Sequence, residues 1–174
     1  MSFLGNFMRK FFLFIWEIVK VVSISLVIIL PVRYYLIIDE ISYRFNSPER
    51  GQVVVFRYPR NPQEYYIKRI IGLPGEEIQI KDGKVTIYNE FYPEGMILTE
   101  EYLPEGVETY NGSEIKVPIG ENEYFVLGDN RFASKDSRSF GPVDKAFITG
   151  KVLFRGWPLD KVMIFDKDYW PVYQ

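Results

Sequence analysis

The sequence contains no cysteine and no histidine. The first absence removes any disulfide framework, any Cys-ligated zinc and any thiol nucleophile. The second removes a Ser-His-Asp triad, an imidazole base and a His-ligated metal. Neither sign of charge is in excess, since 21 Lys and Arg stand against 23 Asp and Glu for a formal net charge of -2. A near-neutral chain carries no electrostatic footprint for nucleic acid. Apolar residues are plentiful, at 47% hydrophobic with 25% charged, which excludes a disordered or low-complexity chain. Its 174 residues suit one domain rather than two. Any catalysis must use Lys, carboxylates, hydroxyls or backbone amides.

Residues Phe11 to Leu30 form an apolar run interrupted only by Glu17 and Lys20. Twenty helical residues rise about 30 Å, the thickness of a hydrocarbon core. The two charges lie three apart on one helix face, where they can pair or snorkel to the nearer interface. Trp16 and the Tyr34-Tyr35 pair suit the interfacial belts. No small-x-small cleavage site follows the run, which leads into Pro31-Val-Arg-Tyr-Tyr35, so an anchor is expected rather than a removed leader. Arg9 and Lys10 precede the span and place the N-terminus in the cytoplasm. The expected organisation is a cytoplasmic N-terminus over 1–10, a transmembrane anchor over 11–33 and an extracytoplasmic domain over 34–174, in a cell membrane.

Beyond residue 38 no long stretch has helical periodicity. Short β-rich runs bounded by Gly, Pro and Asn take its place: Gln52 to Tyr58, Tyr65 to Ile71, Glu123 to Leu127 and Ile148 to Arg155. Ile78 to Ile87 reads as two alternating strands about Asp82-Gly83, a pair suited to a type I′ turn. Gly72-Leu-Pro-Gly75 is a turn, because Pro sets φ and Gly accepts φ > 0. Residues 89–122, rich in Glu, Tyr, Pro and Gly, read as an irregular insertion or long hairpin. The expected class is mainly β: one N-terminal transmembrane helix, then an antiparallel all-β ectodomain.

Two segments hold candidate chemistry. In Tyr65-Tyr-Ile-Lys-Arg-Ile-Ile71, alternation puts Tyr66, Lys68 and Ile70 on one face and Ile67, Arg69 and Ile71 on the other. A lysine among large apolar groups is desolvated, which lowers its pKa toward that of a general base; a lysine on a half-exposed strand simply snorkels. The strand alone leaves both open. Gly128-Asp-Asn-Arg-Phe-Ala-Ser-Lys-Asp-Ser-Arg138 follows a strand and is dense in polar groups. Such a loop can orient an active group, or it can be a self-capped surface loop with an Asp136–Arg138 ion pair.

Together these segments resemble type I signal peptidases, the membrane-anchored Ser/Lys endopeptidases that remove secretory signal peptides. Tyr66-Ile-Lys-Arg-Ile-Ile-Gly-Leu-Pro-Gly-Glu76 is similar to the family's lysine box, with Lys68 at the general-base position and Arg69 beside it. Gly128-Asp-Asn-Arg-x-x-Ser-x-Asp-Ser-Arg138 is similar to its C-terminal box. There Ser134 matches the serine that positions the lysine amine, Asp136 and Arg138 match the bracing ion pair, and Ser137 lies between them. Ile148 to Pro158 follows the closing strand. The resemblance implies signal-peptide-bearing preproteins as substrates, membrane lipid as surroundings, and no metal or cofactor. It also implies that Lys68 faces an apolar pocket with Ser134 within hydrogen-bond reach.

The departure concerns the nucleophile. The family places it just after the span, in a Ser-Met-x-Pro segment leading through a strand and a Gly-Asp turn. No Ser-Met dipeptide occurs in this sequence, and Leu36 runs directly into Ile37 to Phe45, which resembles the strand after that turn. Ser23 and Ser25 lie in the expected span, and Ser42 falls in the resembled strand, where serving as nucleophile would demand a register shift that flips every side chain. Two principal functions follow: a signal peptidase lacking its nucleophile segment, hence inactive as written, or a catalytically dead membrane-anchored β domain that binds exported peptides or partner proteins. A purely structural extracytoplasmic domain is the third.

Overall fold

The computed structural model describes residues 11–20, 35–110, 112–157 and 162–165. Residues 11–20 are helical (α1), and Lys20 Nζ pairs with Glu17 Oε1 at 2.5 Å, as their spacing predicts. The rest of the expected anchor, 21–33, and Tyr34 lie outside the described residues. Among the described residues no helix is long and apolar enough to cross a membrane.

Beyond residue 34 the described chain is built of antiparallel strands, as expected. They are β1 (Tyr35–Asp39), β2 (Val53–Tyr58), β3 (Asn61–Gly72), β4 (Glu77–Lys81), β5 (Lys84–Tyr88), β6 (Met96–Ile97), β7 (Ile115–Pro118), β8 (Glu123–Leu127), β9 (Val143–Asp144), β10 (Ile148–Trp157) and β11 (Met163–Ile164). A single turn of helix, α2 (Ser137–Phe140), follows the polar loop after β8. The larger sheet has the order β1-β10-β2-β3-β8-β9, with β11 also paired to β10; the smaller has the order β6-β5-β4-β7.

The smaller sheet follows from its sequence. Ile78, Ile80, Val85 and Ile87 alternate inward, and Ile80 stands opposite Val85 across the two-residue turn. Asp82 and Gly83 have φ of 50° and 75°, the left-handed pair that a type I′ turn requires. These side chains pack with Ile71, Phe125 and Leu127 from β3 and β8 of the larger sheet. Each such buried aliphatic side chain contributes roughly 1.5–3 kcal/mol of transfer free energy, so this shared core fixes the small sheet to the site-bearing strands. The opposite face of β3 and β8 carries Ile70, Tyr124 and Val126, which join Val54 and Phe56 of β2 in a second core. Val53 and Val55 enter a third with Val152. Covered on both faces, β2 is apolar and buried from Val53 to Phe56 rather than alternating, and only Arg57 faces out.

Two expectations are corrected. The strand anticipated over Ile37 to Phe45 ends at Asp39, and Ser42 lies in a 3₁₀ turn, Ser42–Arg44. The Asp39 carboxylate ends the strand by accepting hydrogen bonds from the Ile41 and Ser42 amides and from the Ser42 hydroxyl. A short polar side chain that captures nearby backbone donors competes with strand pairing. The lysine-bearing strand begins at Asn61, four residues earlier than the apolar run suggests.

Candidate active site

Lys68 and Arg69 are neighbours on β3 and point to opposite faces, as alternation predicts. Arg69 is buried, and its guanidinium forks onto Asp129, with Nε to Oδ1 at 2.9 Å and Nη2 to Oδ2 at 2.7 Å. Its Nη1 donates to the Gly51 carbonyl at 2.8 Å. Arg69 thereby fixes the start of the polar loop to the strand that carries Lys68.

Lys68 is half-buried on the face of Tyr66 and Ile70, its Nζ 5.7 Å from the centre of the Tyr66 ring. Burial lowers the pKa of its amine; Asp136 and Asp129 pull it back toward the ordinary value, and Arg138 adds to the lowering. Desolvation outweighs the carboxylates because the ammonium loses water and gains no direct ion pair.

The loop leaving β8 curls back over this lysine because Asp136 draws it in. Asp136 is fully buried and accepts from the Gly128 amide at 3.0 Å and from Arg138 Nε and Nη2, each at 2.8 Å. It also caps α2 through the Arg138 amide. Ser137 accepts from the Val126 amide at 2.9 Å, tying α2 to β8. The Asp136–Arg138 pairing read from the sequence is therefore formed.

Ser134 comes to the same place as Lys68, but not in the expected bond. Both line a cavity of about 380 Å³ with Ile67, Arg69, Ala133 and Phe165 among its walls. The Ser134 hydroxyl is buried and meets no hydrogen-bond partner among the described residues. It lies near enough to Asp136 to help hold that carboxylate ionised, without hydrogen-bond geometry to it. The cavity is also less apolar than anticipated, since Asp129, Asn130 and Arg155 share its lining.

Ser42 is remote from this cavity. The pairing runs Asp39 to Lys151, Lys151 to Val54 and Val54 to Lys68, three strand spacings. At about 4.8 Å each, they separate Asp39 from Lys68 by roughly 14 Å. Sequence reading overlooked Asp129 as the partner of Arg69 and Arg131 as a buried hub. The signal lay in the polar loop itself, but partners 60 and 31 residues away leave no local spacing to read.

Asp136 carries a stability expectation. Burial opposes its ionisation, but the hydrogen bonds from Arg138 and the Gly128 amide prevail and hold its pKa below the ordinary carboxylate range. With the folded value depressed, the unfolded chain binds more protons in the window between the two. The stabilisation is present above the ordinary value and is lost as pH falls through the folded one. Acid denaturation of Asp136→Asn, followed by circular dichroism, is expected to show a shallower loss of stability with falling pH in that window. Asp136→Ala is expected to cost about 3–5 kcal/mol in urea, because Arg138 is left buried without its counterion.

The sequence profile of the family described as signal peptidase, peptidase S26, matches residues 5–157. The probable signal peptidase I-2 of Synechocystis sp. is 37% identical over 160 residues, covering 89% of this chain and 69% of that protein. Signal peptidase I of Leptolyngbya laminosa is 38% identical over 156 residues, covering 86% and 72%. Signal peptidase IB of Staphylococcus aureus is 35% identical over 135 residues, covering 71% and 69%.

Proposed function

The chain belongs to the signal peptidase family, peptidase S26, and on that footing we propose that its ectodomain is a Ser/Lys endopeptidase scaffold for signal-peptide-bearing preproteins, with Lys68 as general base and the nucleophile segment absent. The observation that carries this reading is the half-buried Lys68 amine, desolvated in a cavity beneath the 128–136 loop. A neutral amine is what a hydroxyl nucleophile needs to lose its proton, and burial shifts Lys68 toward that form without histidine.

No described serine takes the nucleophile's part. Among the described residues Ser134 is the only hydroxyl side chain lining the cavity, and its Oγ is sealed from solvent, so it cannot meet a substrate carbonyl. The Ser42 hydroxyl is committed to Asp39, whose carboxylate is held below the ordinary range chiefly by that hydrogen bond and so is a poor base. By family resemblance the missing segment also held a strand for the extended substrate, so docking falls to the edge that remains. Asn61 and Tyr65–Lys68 of β3 pair with β2 on one side, while among the described residues β8 reaches only Arg69–Gly72 on the other. The open edge beside Lys68 suits an extended peptide added as a strand. That intact edge also favours the second reading, a domain that binds exported peptides without cutting them.

NMR titration of the intact chain in detergent micelles, with ¹³C-labelled lysine, tests the role of Lys68. Its midpoint is expected below those of the exposed lysines, and an ordinary midpoint would remove the base from the site. Topology is proposed as N-in with a single span and the β domain outside. A Glu105→Cys variant is expected to react with a membrane-impermeant maleimide on intact cells, and labelling only after permeabilisation would reverse the assignment.

A further inference from the structure

The insertion between β5 and β8 has no part in the chemistry described above, yet two arginines of the site loop grasp it. Arg131 is buried, and each of its nitrogens is engaged. Its Nε donates to the Gly128 carbonyl at 3.2 Å, within the loop itself. Its two terminal nitrogens reach into the insertion: Nη1 to Glu100 Oε2 at 2.7 Å and to Thr109 Oγ1, and Nη2 to Glu100 Oε1 and to the Tyr102 hydroxyl at 2.9 Å. At the other end of the loop, Arg138 Nη1 donates to the Tyr110 carbonyl at 2.7 Å. The Tyr102 ring also lies against Arg69, 4.0 Å from guanidinium carbon to ring centre. Residues 100–110 thus contact Arg69, Arg131 and Arg138, the three arginines that fix the strand and loop around Lys68.

We propose that this insertion is a working part of the site, with Glu100 a positioning residue that acts through Arg131 to fix the 128–136 loop over Lys68. The physical case is one of satisfaction. A guanidinium with a fully buried side chain needs a counterion and acceptors for all its donors, and the site loop offers it only the Gly128 carbonyl. Glu100, Thr109 and Tyr102 supply the rest. Residues 89–122 hold eight glutamates against a single lysine, yet only Glu100 meets an arginine of the site loop. With Glu100 neutralised, Arg131 is drawn toward water, and the Gly128 end of the loop moves with it. Gly128 in turn holds the Asp136 carboxylate through its amide, so the displacement reaches the cover of Lys68.

This inference rests on the role proposed for Lys68, and its test separates the two. The ¹³C-lysine titration is repeated on Glu100→Gln, on the milder Tyr102→Phe, and on Glu76→Gln. The last neutralises another buried ion pair, with Arg50, that holds the two sheets together without touching the site loop. Hydrogen exchange of residues 128–134 is measured alongside. Glu100→Gln is expected to raise exchange across the loop by tenfold or more and to move the Lys68 midpoint up toward the ordinary lysine value. Tyr102→Phe is expected to do the same by a smaller factor, and it serves where Glu100→Gln fails to fold. Glu76→Gln is expected to lower overall stability and leave the Lys68 midpoint in place. An unchanged midpoint in both Glu100→Gln and Tyr102→Phe, or equal shifts in Glu76→Gln, would overturn the positioning role. An ordinary Lys68 midpoint in the unmodified chain would instead overturn the reading on which it stands.

Discussion

Mixed with a preprotein that ends its leader in a small-x-small motif, the chain as it stands is expected to leave the substrate uncut. A base without a hydroxyl to activate performs no acyl transfer, and loss of the nucleophile in a serine protease costs about 10⁶ in rate. On the proposed reading the loss goes further. A nucleophile segment also carries a backbone N–H for the oxyanion, and one such donor is worth about 10²–10³ in rate. Reintroducing a Ser-Met-x-Pro strand-turn-strand segment after Leu36 is expected to restore cleavage, and Lys68→Ala in that restored chain to abolish it again. Cleavage by the unmodified chain would refute the assignment, and its loss on Ser42→Ala, Ser25→Ala or Ser134→Ala would identify the hydroxyl responsible. Peptide binding without turnover, surviving Lys68→Ala, would favour a binding domain over an enzyme scaffold.

What the sequence disclosed follows the range of the interactions. The hairpin at Asp82-Gly83 is legible because turn and alternation lie within ten residues and agree with each other. The Asp136–Arg138 pair is legible for the same reason, the partners being two residues apart. Lys68 is legible as to its face, but its desolvation depends on a loop some 60 residues away, and the strand alone left the matter open. Resemblance to the family, not periodicity, brought Lys68 and Ser134 together. The strand end at Asp39 was missed because a local capture of backbone donors overrode the apolar pattern on either side. The insertion looked irregular because its order is not its own: Glu100, Tyr102 and Thr109 are organised by an arginine beyond β8. Such order has no spacing signature.

The second large effect is expected from the smallest side chain at the site. A Cβ placed on Gly128 overlaps Ser134 Oγ and falls 2.5 Å from Ser134 Cβ, while Lys68 Cδ stands 3.6 Å away. The lysine is thus in ordinary contact and the serine is in collision. Turning the hydroxyl does not relieve it, because the Ser134 Cβ is itself too close. The loop must therefore lift. It cannot lift freely, since the Gly128 amide and Asp136, two residues past Ser134, are bonded to each other. Gly128→Ala is expected to cost about 1–3 kcal/mol in denaturant, the usual penalty for overpacking a closed site. It is also expected to move the Lys68 midpoint toward the ordinary lysine value as water reaches the amine. In the chain with its nucleophile segment restored, a displacement near 1 Å at the base is expected to lower turnover about 10²-fold. Gly120→Ala is the contrast, because the nearest atoms to its added Cβ all belong to the side chain of Glu123, the carboxylate at 3.0 Å, rather than to packed backbone. Equal losses of turnover in the two variants would mean that close packing of Ser134 against Gly128 has no part in holding the site.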